Sequence, residues 1–362
     1  MKKSKKKVII AVILAVFVLM IAAWWIFCVR MYDANMNVSE DSYEPLMLKT
    51  EDFEGLQCRE CSFASDKGQK LAGYLYSNGE DQRGIVVFAH GFGGGGHNSY
   101  MDCANYFTRN GYYFFAYDAT AMDKSEGEGL GGVPQGVIDL EHAISYVESS
   151  SDIPDLPIVL MGHSWGGYCV SAVLTYHPEV KAVIECSGFN RSSDMFESGG
   201  ASQAGPVIYA MTPFVRIHEY LKFGEYATNT AMDGFESTDA AVMLVHSADD
   251  NVIGINYGLD KYYEKYKDDA RFTFIRFEDK GHNDILNDPS DTYREELDAV
   301  YAEWLKTLDY DPDAKENKDR FREDKAKFLD ENLDRYRWSH RLDENLFARF
   351  LEFYDNNIEG KQ

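Results

Sequence analysis

The sequence is short of basic residues and of cysteine, and each shortage rules something out. Lys and Arg number 36 against 60 Asp and Glu, a formal net charge of −24. A surface of that sign repels polyanions, so nucleic-acid binding, which depends on neutralising phosphates, is excluded as a function class. Six cysteines in 362 residues give no disulfide framework. Cys58 and Cys61 form "CREC", but three positions apart on an alternating strand they point to opposite faces, and no second pair follows at zinc-like spacing. Cys103, Cys169 and Cys186 stand in apolar contexts and read as core. No internal repeat, low-complexity tract, G-K-[ST] loop or dinucleotide fingerprint is present. Nothing in the chain therefore calls for a cofactor or a metal.

Long apolar runs are lacking as well, with one exception. Lys2, Lys3, Lys5, Lys6 and Lys7 precede an uncharged stretch from Val8 to Val29, closed by Arg30, long enough to cross a bilayer as a helix. A cleavable signal has a shorter apolar region and small residues at its end; here Trp24, Trp25, Ile26 and Phe27 stand there instead. The same bulk argues against lipidation at Cys28. An uncleaved transmembrane anchor is expected, and the lysines keep its N-terminus in the cytoplasm, placing everything after Arg30 at the outer face of the cell membrane. Beyond residue 30 the chain carries a formal charge of −30, since six basic residues and no acidic one precede it.

After a juxtamembrane stretch, 31–52, the segments "LQCRECSFAS" and "KLAGYLYS" alternate in polarity around "DKGQ", as two antiparallel strands do. The pattern then changes. "GIVVFAH", "YYFFAYDA", "PIVLMGH", "KAVIECSG", "AVMLVHSA" and "RFTFIRFED" are nearly continuous apolar runs, the mark of strands buried on both faces. Helical patterns lie between them, including Pro134 to Glu148 and Trp165 to Tyr176. Alternation of strand and helix predicts a mostly parallel sheet flanked by helices on both sides, an α/β fold. The connection from 189 to 238 is too long for one crossover and predicts a cap-like insertion with its own helices. From 311 to 362 the chain is highly charged, yet Phe321, Phe328, Leu329, Leu333 and Tyr336, and then Leu342, Leu346, Phe347, Phe350, Leu351 and Tyr354, recur at helical spacing. Two amphipathic helices packed on the body are expected, with Ser339 as the cap of the second.

The chemistry is carried by "GHSWG", Gly162 to Gly166, a G-x-S-x-G set between a buried strand and a helix. In that context the pentapeptide is a nucleophile elbow, and Ser164 is the expected nucleophile. A serine hydroxyl needs a base, and the base needs an acid to orient it. "VMLVHSADDNVI" offers Asp249 and Asp250 after the next-to-last strand, and "FEDKGHND" offers His282 after the last. Of nine histidines, His282 alone lies in a loop after the final strand, behind Gly281; His163, His90 and His246 fit structural roles. Two backbone donors must hold the oxyanion, each worth about 3 to 4 kcal/mol. Trp165, the residue after the nucleophile, supplies one, and Phe92 in "HGFGGGGHN" the other.

Together these segments resemble the α/β-hydrolase fold, within it the serine aminopeptidase and monoacylglycerol-lipase-like group. The resemblance runs from about residue 53 to 308 and rests on "VVFAHGFGG", "YFFAYDATAMDKSEG", "VLMGHSWGGY", "VHSADDNVI" and "GHND". It implies a domain of 53–310 with the insertion as its cap, and it selects Asp250 over Asp249, since Asp250 lies four positions after His246 and precedes Val252 and Ile253. Two positions depart from the family pattern: Thr120 and Ala121 stand where Arg and Gly are usual. The expected activity is hydrolysis of a small acyl ester through a Ser164–His282–Asp250 triad. A peptide substrate is the alternative, with Glu197, Glu219 or Glu225 of the cap receiving an amino terminus. A binding protein on a degenerate hydrolase fold is the reading from another class.

Overall fold

The computed structural model describes residues 2–79 and 82–358, with side chains from Lys5 onward. The charges of Lys2 and Lys3 and the last four positions of the expected C-terminal extension lie outside the described residues.

Eight strands form one sheet in the order β1-β2-β4-β3-β5-β6-β7-β8. The edge pair, β1 (Gln57–Ala64) and β2 (Lys70–Ser77), is antiparallel, and β2 joins β4 (Tyr112–Tyr117) antiparallel too. From β4 onward through β3 (Gly84–Ala89), β5 (Ile158–His163), β6 (Ala182–Cys186), β7 (Ala241–Ser247) and β8 (Phe272–Phe277) the pairing is parallel. These are the continuous apolar runs, and β3 and β6 are buried at every position. A strand covered on both faces has no solvent side on which to place polar residues.

One face is covered by α3 (Gln135–Ser149) and α4 (Trp165–Ala172), whose Val137, Ile144 and Val170 join Val87, Leu160 and Leu244 in one core. The other carries α2 (Met101–Arg109) and the chain's last described helix, with Phe107, Phe347, Phe350 and Tyr354 against Val86, Met161 and Val245. Tyr354 Oη donates to the Leu160 carbonyl oxygen at 2.7 Å. The core of the body thus takes in the last described helix of the charged tail.

The insertion holds two helices, α5 (Ser192–Ala204) and α6 (Val207–Phe223), and a third, α7 (Ala231–Glu236), that returns to α4. After β7 come α8 (Leu259–Tyr266) and, beyond β8, α9 (Tyr293–Leu305), α10 (Lys318–Asn332), α11 (Arg335–Ser339) and α12 (Glu344–Ile358). Ser339 does not cap the final helix. Its hydroxyl donates back to the Arg335 carbonyl at the end of α11, and Asp343 takes the capping role, accepting from the Leu346 amide at 3.1 Å. The short α11 lies where the sequence pattern merges two helices, and it shifts the start of α12 by four residues.

A single helix, α1 (Lys2–Met36), precedes all of this. It is long and apolar enough to cross a membrane from Lys5 onward. Its C-terminal end alone touches the body, where Cys28 and Tyr32 are fully buried. All six cysteines, Cys58 and Cys61 included, are free thiols.

Candidate active site

Strand β5 ends at His163, and the chain turns at Ser164 with φ 56° and ψ −117° before α4 begins. A positive φ is costly for a residue with a Cβ, and it persists only where the surroundings over-determine it. They do so here through glycine. A Cβ on Gly162 would collide with the Gly166 carbonyl, and one on Gly166 with the carbonyl of Ala89 in the neighbouring strand. The Ser164 amide is held by the Cys186 carbonyl at 2.8 Å. The hydroxyl is thereby lifted off the carboxyl edge of the sheet.

The loop after β8 brings His282 to it, with Ser164 Oγ and His282 Nε2 2.8 Å apart. On the far side of the ring, Nδ1 lies 2.7 Å from Asp250 Oδ2. Ser164, His282 and Asp250 are each at least nine-tenths buried. Asp249 turns away, accepting from Ser247 Oγ and the Gly281 amide. Burial alone would raise the Asp250 pKa, but hydrogen bonds from His246 and His282, the charge of His282 and the Ile253 amide outweigh it and hold the carboxyl well below the usual carboxylate range.

His246, expected in a structural role, holds the acid, a partnership that sequence reasoning missed. Its Nε2 donates to Asp250 Oδ2 at 3.1 Å and to the Ile253 carbonyl at 3.0 Å. Since a carbonyl accepts only, the proton sits on Nε2. Asp250 Oδ1 in turn accepts from the Val252 and Ile253 amides at 2.9 and 2.8 Å. Four donors therefore converge on one carboxylate. The signal for His246 was the i, i+4 spacing to Asp250 at a strand end, which is indistinguishable from an ordinary buried histidine without the loop's geometry.

His163 braces the base from behind. Its Nε2 donates to the His282 carbonyl at 3.0 Å, and its Nδ1 accepts from Tyr100 Oη at 2.8 Å. Tyr100 Oη also receives the Gly91 amide at 3.2 Å, so the glycine-rich loop and the base share one chain of hydrogen bonds. Burial, with the neighbouring His282 adding to it, pushes the His163 ring down to about 3, which keeps it neutral. His90 ties the same loop to β4, donating to the Gly91 carbonyl at 2.7 Å and accepting the Ala119 amide at 3.1 Å.

The rings of Phe92 and Trp165 meet edge to face with centroids 5.8 Å apart. Trp165 is the first residue of α4, and amides in a helix's first turn have no preceding carbonyl to bind. An anion at this point would meet free donors and the positive end of the helix dipole. Ala121 takes φ 64°, the left-handed conformation that explains why glycine is usual there, while the amide of Thr120 binds Asp139 at 2.8 Å. A cleft of about 500 Å3 opens beside the site, bordered by Gly91, Tyr100, His163, Asn283 and Trp338.

The three cap carboxylates do not share a location. Glu219 is fully buried, accepting from Tyr32 Oη at 2.5 Å and Ser192 Oγ at 2.7 Å. Glu197 accepts from Tyr257 Oη at 3.2 Å, and Glu225 is exposed in the turn after α6. Among the described residues one group has metal-ligand spacing, Glu148, His177 and Glu179. It lies at the amino edge of the strands, between α3 and the start of β6, away from Ser164.

This sheet order, with a strained serine between β5 and α4 and a histidine after the last strand, defines an α/β-hydrolase fold. The comparisons agree. Residues 80–225 match the family model described as serine aminopeptidase, S33. A monoacylglycerol lipase of Mycolicibacterium smegmatis is 29% identical over 131 residues, 36% of this chain and 46% of the lipase, so the chain spans about half the length of that relative. An esterase of Pyrococcus furiosus superposes with a TM-score of 0.52 at 16% identity, covering 75% of this chain and 97% of the esterase. The Pyrococcus horikoshii acylaminoacyl peptidase gives a TM-score of 0.52 at 14% identity over 86% of this chain and 43% of its own. By fold the chain is an α/β-hydrolase.

Proposed function

We propose that the protein is a membrane-anchored serine hydrolase that cleaves carboxylic esters through an acyl-enzyme. The observation that carries this reading is the continuous hydrogen-bonded line from Ser164 Oγ through His282 to Asp250. In this reading Ser164 attacks the ester carbonyl while His282 Nε2 takes its proton. The negative charge on Asp250 stabilises the imidazolium, and the amides of Phe92 and Trp165 hold the oxyanion. His282 then protonates the leaving alcohol. Water, deprotonated by the same ring, releases the acid and restores Ser164.

Ester is favoured over peptide by the state of the cap carboxylates. A site for an amino terminus needs an accessible carboxylate, and of the three candidates Glu219 is committed to Tyr32 and Ser192 and Glu197 to Tyr257, which leaves the exposed Glu225 in the turn after α6. A degenerate binding protein is disfavoured because nucleophile, base and acid are all in register. The domain reading that accompanies this is an anchor at 1–30, a juxtamembrane segment at 31–52, a hydrolase domain at 53–310 with a cap at about 189–238, and a helical C-terminal extension at 311–362. The N-terminus lies in the cytoplasm and the catalytic domain at the outer face of the cell membrane. Hydrolysis of p-nitrophenyl esters of increasing chain length, beside aminoacyl p-nitroanilides, tests the reading. Ester turnover is expected to dominate, and faster cleavage of the anilides overturns it in favour of a peptidase.

A further inference from the structure

In a chain that is 27% charged, the stretch from Ser198 to Val215 holds no Asp, Glu, Lys, Arg or His. It forms the end of α5, the turn at Gly205 and the first half of α6. Along the first half of α6, before Arg216, the solvent side is apolar as well. Val207, Tyr209, Ala210 and Pro213 are exposed there, Tyr209 to 52% and Val207 to 45%. A face of this kind on a surface helix has a partner.

The position of α1 says which. Trp25 meets Phe214 with ring centroids 6.0 Å apart, Tyr32 meets His218 at 5.7 Å, and Asp33 binds His218 at 3.0 Å and Lys222 at 3.9 Å. The partners ascend together in both helices, so α6 runs alongside α1 in the same direction. Toward its start α6 therefore descends along the apolar part of α1. Val207 stands seven residues, about 10 Å of helix, below Phe214. Trp24 and Trp25, side chains that favour the boundary between lipid and water, mark the level at which α1 leaves the body. The latch of Tyr32, Glu219 and Ser192 fixes this arrangement from within. The exposed stripe of α6 adjoins the residues that grip α1, so it continues the anchor's own lipid-facing surface.

We propose that the α5–α6 hairpin is immersed in the outer leaflet of the bilayer that α1 crosses. The occupant of the apolar face is lipid, and cap and anchor form one membrane-embedded unit. Charge begins again at Glu197 and Arg216, at the base of the hairpin where it would return to water. Ser198, at the hairpin's root, bonds the Val252 carbonyl at 2.9 Å in the loop that carries Asp250, so immersion brings the triad's loops to the leaflet. The inference rests on the reading of α1 as an anchor.

Depth-dependent quenching tests it. The full chain, carrying Cys58→Ser and Cys61→Ser, is labelled with bimane at Tyr209→Cys, Val207→Cys, Leu14→Cys or Asp155→Cys and reconstituted in phosphatidylcholine vesicles containing acyl-brominated lipid. Tyr209, Val207, Leu14 and Asp155 are all exposed, so the labels leave the core intact. Several-fold stronger quenching at Tyr209 and Val207 than at Asp155 is expected, comparable to that at Leu14. If Leu14 is quenched while Tyr209 and Val207 match Asp155, water or a second protein copy covers the face and the proposal is overturned with the anchor intact. If Leu14 is not quenched, the anchor reading fails and takes the proposal with it.

Discussion

His246 Nε2 lies 3.1 Å from Asp250 Oδ2, the same oxygen that His282 Nδ1 approaches to 2.7 Å. The acid is thus held between two histidines, one facing the nucleophile and one rooted in β7. Substituting His246→Leu removes a donor to a buried carboxylate without touching substrate. A fall in kcat of about 10- to 100-fold is expected from misplacement of the base, with KM little changed, and His246→Gln, which keeps a donor, recovers part of it. Equal losses in both variants at constant stability contradict the positioning role.

His163 acts on the base through its backbone. In His163→Phe the ring can no longer donate to the His282 carbonyl or accept from Tyr100, so the loops bearing Gly91 and His282 lose their shared brace. Lower kcat is expected, again by about 10-fold or more, while Ser164 remains in place. Steady-state kinetics with one soluble ester, beside a thermal melt, separates this from simple unfolding.

Gly166→Ala addresses the elbow itself. The added methyl has no room against the Ala89 and His90 carbonyl oxygens, both of them backbone, so the strand or the helix must shift. A loss of at least about 2 kcal/mol is expected, read as a lowered denaturant midpoint. An unchanged midpoint contradicts the close approach of β3 to α4.

The latch that joins α1 to α5 and α6 through Glu219 makes stability depend on pH. Burial, opposed by the hydrogen bonds from Tyr32 and Ser192, pushes the Glu219 carboxyl up to about 7. A folded-state pKa above the unfolded glutamate value of about 4.3 means that the stabilising, protonated contact is complete below that value and is lost as pH rises through about 7. Glu185, pushed up to about 8 by burial, follows the same sign. Thermal midpoints of the wild type are expected to fall between about pH 5 and about pH 8.5, and Glu219→Gln is expected to fall less over that range, the remainder being due to Glu185 and to Asp102 and Asp194, which burial pushes up to about 6. Identical slopes in the two proteins contradict the assignment.

The sheet was legible because buried parallel strands write themselves as unbroken apolar runs, and the strands lie within two residues of those runs. The candidate site could be read in outline because a nucleophile elbow has a fixed place between strand and helix and chain order then points to the later loops, but that order left Asp249 and Asp250 open, and the family resemblance alone chose Asp250. Contacts between distant segments left no such trace. Tyr32 and Glu219 are 187 positions apart, and nothing in either neighbourhood marks them as a pair. Segment 31–52 reads as polar, yet Glu40 accepts the Gly94 amide at 2.6 Å and the Asn98 side chain pairs with the Leu48 backbone, so it is laced to the glycine-rich loop. The final helix was legible from its apolar spacing, but an amphipathic pattern says nothing of which core its apolar half enters.

The most direct test of the central claim is covalent. Treatment of the full chain with diisopropyl phosphorofluoridate, followed by mass spectrometry of its peptides, is expected to place one adduct on Ser164, in parallel with the loss of ester turnover, and to find none in Ser164→Ala. Adduct formation at another serine, or ester turnover that survives Ser164→Ala, contradicts the role given to Ser164.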